Sequence, residues 1–166
     1  MFCKNDYVVY GGHGVCKITD ITCKEINGGK TEFYILIPIA DERTTVFVPT
    51  NCPDRAIKMR KVISYEEADA LILLTSNCET EWIENDHVRR EHFKSIVAQG
   101  NCKDLIRLVK TIHIQKQKLS QQRKKLHTSD DNFMKEAEKQ LHEELAFALN
   151  INEDQVLPYI LNQIEA

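Results

Sequence analysis

The feature that most constrains the fold is a change of hydrophobic pattern near residue 63. Upstream of it, β-branched and aromatic residues form short runs between glycine-rich turns, which is typical of antiparallel strands. Downstream, apolar residues recur every three or four positions, as they do on one face of a helix. The change predicts an α+β protein of two domains, a β domain at residues 1–63 and a helical domain at residues 64–166.

The β domain is predicted to hold four or five short antiparallel strands. A glycine-rich turn at residues 11–14 follows the first strand, and Asn27-Gly28-Gly29 is a strong hairpin signal. Because closing a small sheet removes its unpaired edges, we expect a small antiparallel barrel. The predicted strands cover residues 6–10, 15–26, 33–39, 44–48 and 58–62.

The helical domain is predicted to be a compact all-α bundle of about five helices. Ser64 and Glu67 have the spacing of a capping box at the start of the first helix. Gly100-Asn101 divides two further helices. A cluster at residues 129–131 and Asn152 are the expected N-caps of the last two.

A basic block lies between His87 and His127. It holds eleven Lys or Arg against only Glu91 and Asp104, a charge of +9 in a chain of net charge −3. Few acidic residues stand four positions away to balance it, so we predict nucleic-acid contact, mainly with phosphates. The alternative is an ordinary solvated helix face. The candidate contacts in the block are Arg89, Arg90, Lys94, Lys103, Arg107 and Lys125.

Trp82, the only tryptophan, stands just upstream of the basic block, after an acidic loop and at the predicted start of a helix. Its ring could insert beside an unstacked base step, as apolar wedges do in the minor groove. It could equally be a core anchor between helices. The sequence leaves both roles open.

No pattern of catalytic residues is visible. Six histidines are scattered, and the turn at residues 11–14 lacks the Lys and Ser/Thr of a phosphate-binding loop. The six cysteines stand singly, which argues against a structural zinc site and a disulfide framework. With no signal peptide or long apolar run either, we expect a cytoplasmic, non-enzymatic protein without metal or cofactor.

The sequence resembles the CarD/CdnL family of bacterial RNA polymerase-binding transcription regulators. The N-terminal part is also similar to the polymerase-interacting domain of transcription-repair coupling factors. The resemblance rests on Asp6-Tyr-Val-Val-Tyr-Gly-Gly-His-Gly14, where the family shows D-x-V-V-Y-x-x-H-G, and on Phe33-Tyr-Ile-Leu and Thr45-Val-Phe-Val-Pro49. In the helical part it rests on Trp82, Arg90-Glu-His-Phe93, Gly100 and Glu144-Leu-Ala-Phe-Ala148.

The resemblance implies a Tudor-like barrel that docks on the polymerase β subunit. Lys24, Arg43 and Phe47 are the candidate polymerase contacts, although Phe47 stands where relatives often carry a basic residue. The resemblance also implies that Trp82 contacts the minor groove at the edge of the melted promoter. Trp82 lies several residues further from Arg90 and Gly100 than the family's Trp does.

We therefore predict a transcription regulator that bridges RNA polymerase and promoter DNA and stabilises the open complex. It would be a monomer when free and reach the nucleoid through the polymerase. One alternative is a protein-interaction adaptor of RNA polymerase without direct DNA contact. A third possibility is an RNA-binding module.

Overall fold

The chain divides into two structural units between Val62 and Ile63. The computed structural model describes residues 2–51, 59–75 and 77–165. Within these residues, the first unit holds five antiparallel strands and the second holds five helices. The predicted α+β class is confirmed. No described helix combines the length and the apolar character needed to cross a membrane.

The first unit is a single sheet in which every paired strand is antiparallel. Its strands are β1 (Tyr7–Tyr10), β2 (Val15–Ile26), β3 (Gly29–Pro38), β4 (Val46–Pro49) and β5 (Met59–Lys61). The order is β4-β3-β2-β1-β5. β2 and β3 turn at Asn27 and Gly28, whose φ values of 52° and 79° suit the tight hairpin turn that the sequence predicts.

The described pairing leaves β4 and β5 at the two edges of the sheet. Neither is paired with the other in the part of the chain that the structure describes, so the sheet is open and the closure of a barrel stays a prediction. The predicted fifth strand is present as β5, and Lys58, its predicted first residue, lies outside the described residues.

One face of the sheet forms the core of the first unit. Tyr34 and Leu36 of β3 are buried, and Ile35 between them is only partly covered, as the two-residue period of a strand requires. The core side chains are Val8, Cys16, Ile18, Tyr34, Leu36 and Val48. The opposite face therefore carries Phe33 and Ile35, paired with Pro49 and Phe47 of the edge strand β4.

The second unit consists of α1 (Tyr65–Leu74), α2 (Asp86–Gln99), α3 (Cys102–Gln121), α4 (Thr128–Leu149) and α5 (Glu153–Glu165). The predicted capping box is present, because Ser64 and Glu67 each accept a hydrogen bond from the other's backbone N–H. Gly100 ends α2 with a φ of 69°, and Asn101 caps α3.

Two predicted helix starts are wrong. α4 begins at Thr128 after His127, whose side chain makes no capping bond, so Asp130 and Asp131 lie in the first turn instead of forming the cap. Trp82 was expected at the start of a helix, but α2 begins at Asp86 with Asn85 as its cap. Trp82 thus lies in the irregular segment that links α1 to α2.

Candidate functional site

Trp82 is held partly inside the helical core. It is half-buried, and its ring meets the ring of Phe93 on α2 edge-on, with centroids 6.1 Å apart. The guanidinium carbon of Arg89 lies 4.5 Å from the Trp82 ring centroid. Trp82 therefore combines packing against the core with a remaining exposed part.

Arg89 is buried, with only 2% of its surface exposed. Its Nε and Nη2 donate to the two carboxylate oxygens of Asp130 at 3.1 and 2.9 Å, and its Nη1 donates to the Ile83 carbonyl at 3.0 Å. Asp86 lies 2.9 Å from Nη2. The burial of Arg89 and the pairing of its guanidinium inside the protein argue against the predicted contact with DNA phosphates.

The surroundings of Arg89 keep it charged. Burial acts to lower the pKa of Arg89, but the hydrogen bonds that its guanidinium donates to Asp130 and then to Asp86 outweigh it, and the pKa is raised above its ordinary value. Arg89 is therefore a permanent cation inside the helical unit, with its charge balanced by acidic side chains of α2 and α4.

Arg90 and Lys94 are the predicted contacts that lie nearest to Trp82 along α2. Both are exposed, and they stand four residues apart on one face of the helix. Each directly follows a residue that the Trp82 ring contacts, namely Arg89 and Phe93. Arg90 and Lys94 therefore lie near Trp82 along the axis of α2, on a face about 100° around the helix from the residues that contact the ring.

Lys103 and Arg107 form a second cationic pair, also exposed and four residues apart, on α3. They line an open groove of about 990 Å³ together with His92 and Ser95 of α2. Because a helix turns about 100° per residue, Arg90 and Lys94 lie on the side of α2 away from that groove face. The predicted DNA-binding residues are therefore divided between two surfaces.

Lys125 is separate from both pairs. It is exposed and follows the C-terminal end of α3, which lies about 20 Å along the helix from Arg107 at 1.5 Å per residue. The cation in the last turn of α3, where it complements the partial negative charge of the helix C-terminus, is Lys118. The DNA contact of Lys125 stays a prediction.

Other cations of the basic block are engaged within the protein. Lys110 donates to the carbonyls of Thr75 and Cys78 at 2.9 and 3.1 Å. Lys116 lies 3.2 Å from Asp131 on α4. The balancing acid that the sequence lacks locally is thus supplied partly by the first turn of α4.

Lys24 and Phe47 meet on the outer face of the sheet. Lys24 Nζ lies 3.9 Å from the ring centroid of Phe47, which is 44% exposed at the edge strand β4. Phe33 packs edge-on against Phe47, with centroids 6.5 Å apart. These three side chains define an apolar and cationic patch, which we call the Lys24–Phe47 patch.

Arg43 lies in the exposed turn between β3 and β4. Asp41 holds this turn by accepting from the hydroxyl of Thr44 and from the backbone N–H of Arg43, and these bonds lower the pKa of Asp41. Arg43 is thus accessible, as predicted, but it is not among the residues that form the Lys24–Phe47 patch.

The described histidines, cysteines and carboxylates include no group of three or more that could hold a metal ion. The described residues form a β module with an exposed edge patch, followed in the chain by a helical module with surface cations and one half-buried tryptophan.

Residues 2–63 match the family model described as CarD-like/TRCF RID domain. The match covers the N-terminal unit and ends where the helical unit begins. The resemblance that the sequence suggests is confirmed for this unit. A search of curated proteins finds no match to the chain.

Proposed function

We propose that the protein is a non-enzymatic transcription regulator that binds the RNA polymerase β subunit with its N-terminal unit and promoter DNA with its helical unit. The match of residues 2–63 to the CarD-like/TRCF RID domain is the observation that carries this proposal. Such a bridge would act in the cytoplasm, at the nucleoid. Its effect needs no catalysis, because binding the open complex better than the closed one shifts the equilibrium between them.

The Lys24–Phe47 patch is the proposed polymerase-binding surface. An exposed aromatic ring at a sheet edge, with a cation stacked on it, offers both apolar area and a charged contact. β4 also has an unpaired edge in the described sheet, where backbone groups are available to a partner. Arg43 would contribute from the rim. A Tudor-like barrel is the fold we expect for this unit.

Trp82, Arg90 and Lys94 are the proposed DNA-binding surface. The two exposed cations would pair with phosphates, and the exposed part of the Trp82 ring would contact an unstacked base step in the minor groove. Lys103 and Arg107 would reach DNA only by a second surface of the unit. This arrangement favours the edge of a melted region over uniform duplex.

A second candidate function is an adaptor of RNA polymerase without DNA contact. It is favoured by the ion pairs of Arg89 and Lys116, which neutralise part of the positive charge that the sequence suggests. The ammonium of Lys110 bonds to backbone carbonyls of the protein. The helices would then bind a second protein.

The two functions are separated by binding a forked promoter fragment at several salt concentrations. Direct phosphate contact predicts that log K falls linearly with log salt, with a slope near −0.7 to −0.9 per phosphate contact. An adaptor predicts no binding to the fragment alone, although it would still be captured with polymerase.

A further inference from the structure

The guanidinium of Arg89 is shared by groups that lie far apart in the sequence. Asp130 of α4 holds it through two parallel hydrogen bonds, and Asp86 lies at 2.9 Å. The same guanidinium stacks on the Trp82 ring and donates to the carbonyl of Ile83, the next residue. One buried side chain thus connects the body of the bundle to both the ring and the backbone beside it.

The segment that carries Trp82 depends on such contacts for its position. Residues 78–84 have neither helical nor strand structure, so no repeating backbone hydrogen bonds fix them. At the start of the segment, Lys110 of α3 donates to the carbonyls of Thr75 and Cys78. At its end, Arg89 donates to the carbonyl of Ile83. Two cationic side chains therefore hold the segment, and the one beside Trp82 is Arg89.

We propose that Arg89 is a positioning residue, which together with Asp130 fixes the Trp82 indole so that its exposed part is presented to DNA. This inference deepens the proposed function and rests on it for the step from ring position to DNA binding. Arg89 itself does not touch DNA in this proposal. It acts through Trp82 alone.

The chemistry of the contact requires arginine. A planar guanidinium can donate two parallel bonds to one carboxylate while its face lies on an aromatic ring, whereas a lysine ammonium is a point charge without a face. Arg89→Lys keeps the positive charge but loses the fork and the stack. The ring position should therefore respond to Arg89→Lys, although the charge of the unit is unchanged.

Trp82 supplies the measurement, because it is the only tryptophan and all indole emission comes from it. In the full chain, we expect Arg89→Lys to shift the emission maximum to longer wavelength and to raise the acrylamide quenching constant. Asp130→Asn should do the same. The matched control is Asp131→Asn, one residue along α4, whose partners are the surface cations Lys116 and Lys135. It should leave both values unchanged.

The effect on DNA binding is measured with a forked promoter fragment. Trp82→Ala should weaken binding at least about fivefold, the lower end for losing one aromatic contact with a base. Arg89→Lys should weaken it by a similar factor, and the double variant should be no weaker than Trp82→Ala, because both changes remove the same interaction. Additive losses would overturn the proposal, since Arg89 would then act on DNA independently of Trp82.

Folding is checked by circular dichroism, and a second variant covers the case in which Arg89→Lys does not fold. The pair Arg89→Met and Asp130→Leu removes both buried charges together, which leaves neither of them unpaired. In either folded variant, unchanged emission and quenching overturn the positioning role. If Trp82→Ala binds DNA normally, the DNA role of Trp82 fails instead, and the fluorescence result still decides whether Arg89 fixes the ring.

Discussion

Asp130 is fully buried, and its carboxylate accepts two hydrogen bonds from Arg89. Removing one member of a buried ion pair leaves the other charge without compensation, which is far more costly than losing a surface pair. We expect Arg89→Ala to lower the free energy of unfolding by about 3–5 kcal/mol. Urea denaturation measures this loss, and Lys135→Ala, which removes a surface partner of Asp131, is the control with little effect. A loss as small as that of the control would show that the pair contributes little.

Trp82 is half-buried, so it can both pack in the core and contact DNA. One variant, Trp82→Ala, tests both roles, because stability reports the first and open-complex lifetime the second. Trp82→Ala should lose less than the roughly 3–5 kcal/mol typical of a fully buried tryptophan, because part of the ring is already exposed. It should also shorten the lifetime of open promoter complexes, measured after a competitor is added. A normal lifetime with a full-sized stability loss would make Trp82 a core residue only.

At the scale of elements, α1 depends on its first turn. Ser64 and Glu67 satisfy each other's backbone N–H groups, and removing such a cap costs about 1 kcal/mol. Ser64→Ala should therefore lower the free energy of unfolding of the full chain by this amount, measured in urea. Ser95→Ala, an exposed change within α2, should not lower it, because Ala has a higher helix propensity than Ser. Equal values for the two variants would argue against the capping box.

Elements fixed by local chemistry were predictable from the sequence. The bounds of β2, the turn at Asn27 and the end of α2 at Gly100 all depend on residues next to one another in the chain. β3 was predicted to start too late, since Gly29 and Lys30 are poor strand formers that pair only because the hairpin brings them to β2.

Features that depend on distant partners were not predictable. Arg89 and Asp130 are 41 residues apart. The sequence around each of them gives no sign that the two will form an ion pair. The sequence predicts that Asp130 and Asp131 cap a helix, whereas in the structure their carboxylates accept hydrogen bonds from Arg89 and Lys116. A pair of acidic residues following a long basic block was the available signal for such pairing.

At the scale of the whole molecule, the proposed function places two binding surfaces in two separate units. Phe47→Arg should weaken capture of the protein by purified polymerase, because the exposed ring and its stack with Lys24 are lost. Ile39→Arg changes another exposed apolar residue, just beyond β3, and serves as the control. Unchanged capture by the Phe47 variant would place the polymerase contact elsewhere.

A change in the helical unit should instead affect DNA binding and leave polymerase binding intact. Arg90→Glu should weaken binding to the forked fragment and reduce the salt slope by about one unit, since one phosphate contact is removed. Capture by polymerase should be unaffected, because Arg90 lies outside the unit that carries the Lys24–Phe47 patch. Normal DNA binding by a folded Arg90→Glu variant would argue against this surface.

The bridge itself predicts how these two variants combine. When one surface is bound, the other acts at the effective concentration set by the tether, so two modest affinities give a much longer-lived complex. Phe47→Arg and Arg90→Glu should therefore each reduce the lifetime of open complexes almost to that without the protein, and the double variant should add little. The lifetime is measured on one promoter at fixed salt. Each variant is added alone, at the concentration at which the wild-type protein saturates its effect. Independent, additive losses would show that the two units act separately and would contradict a bridging role.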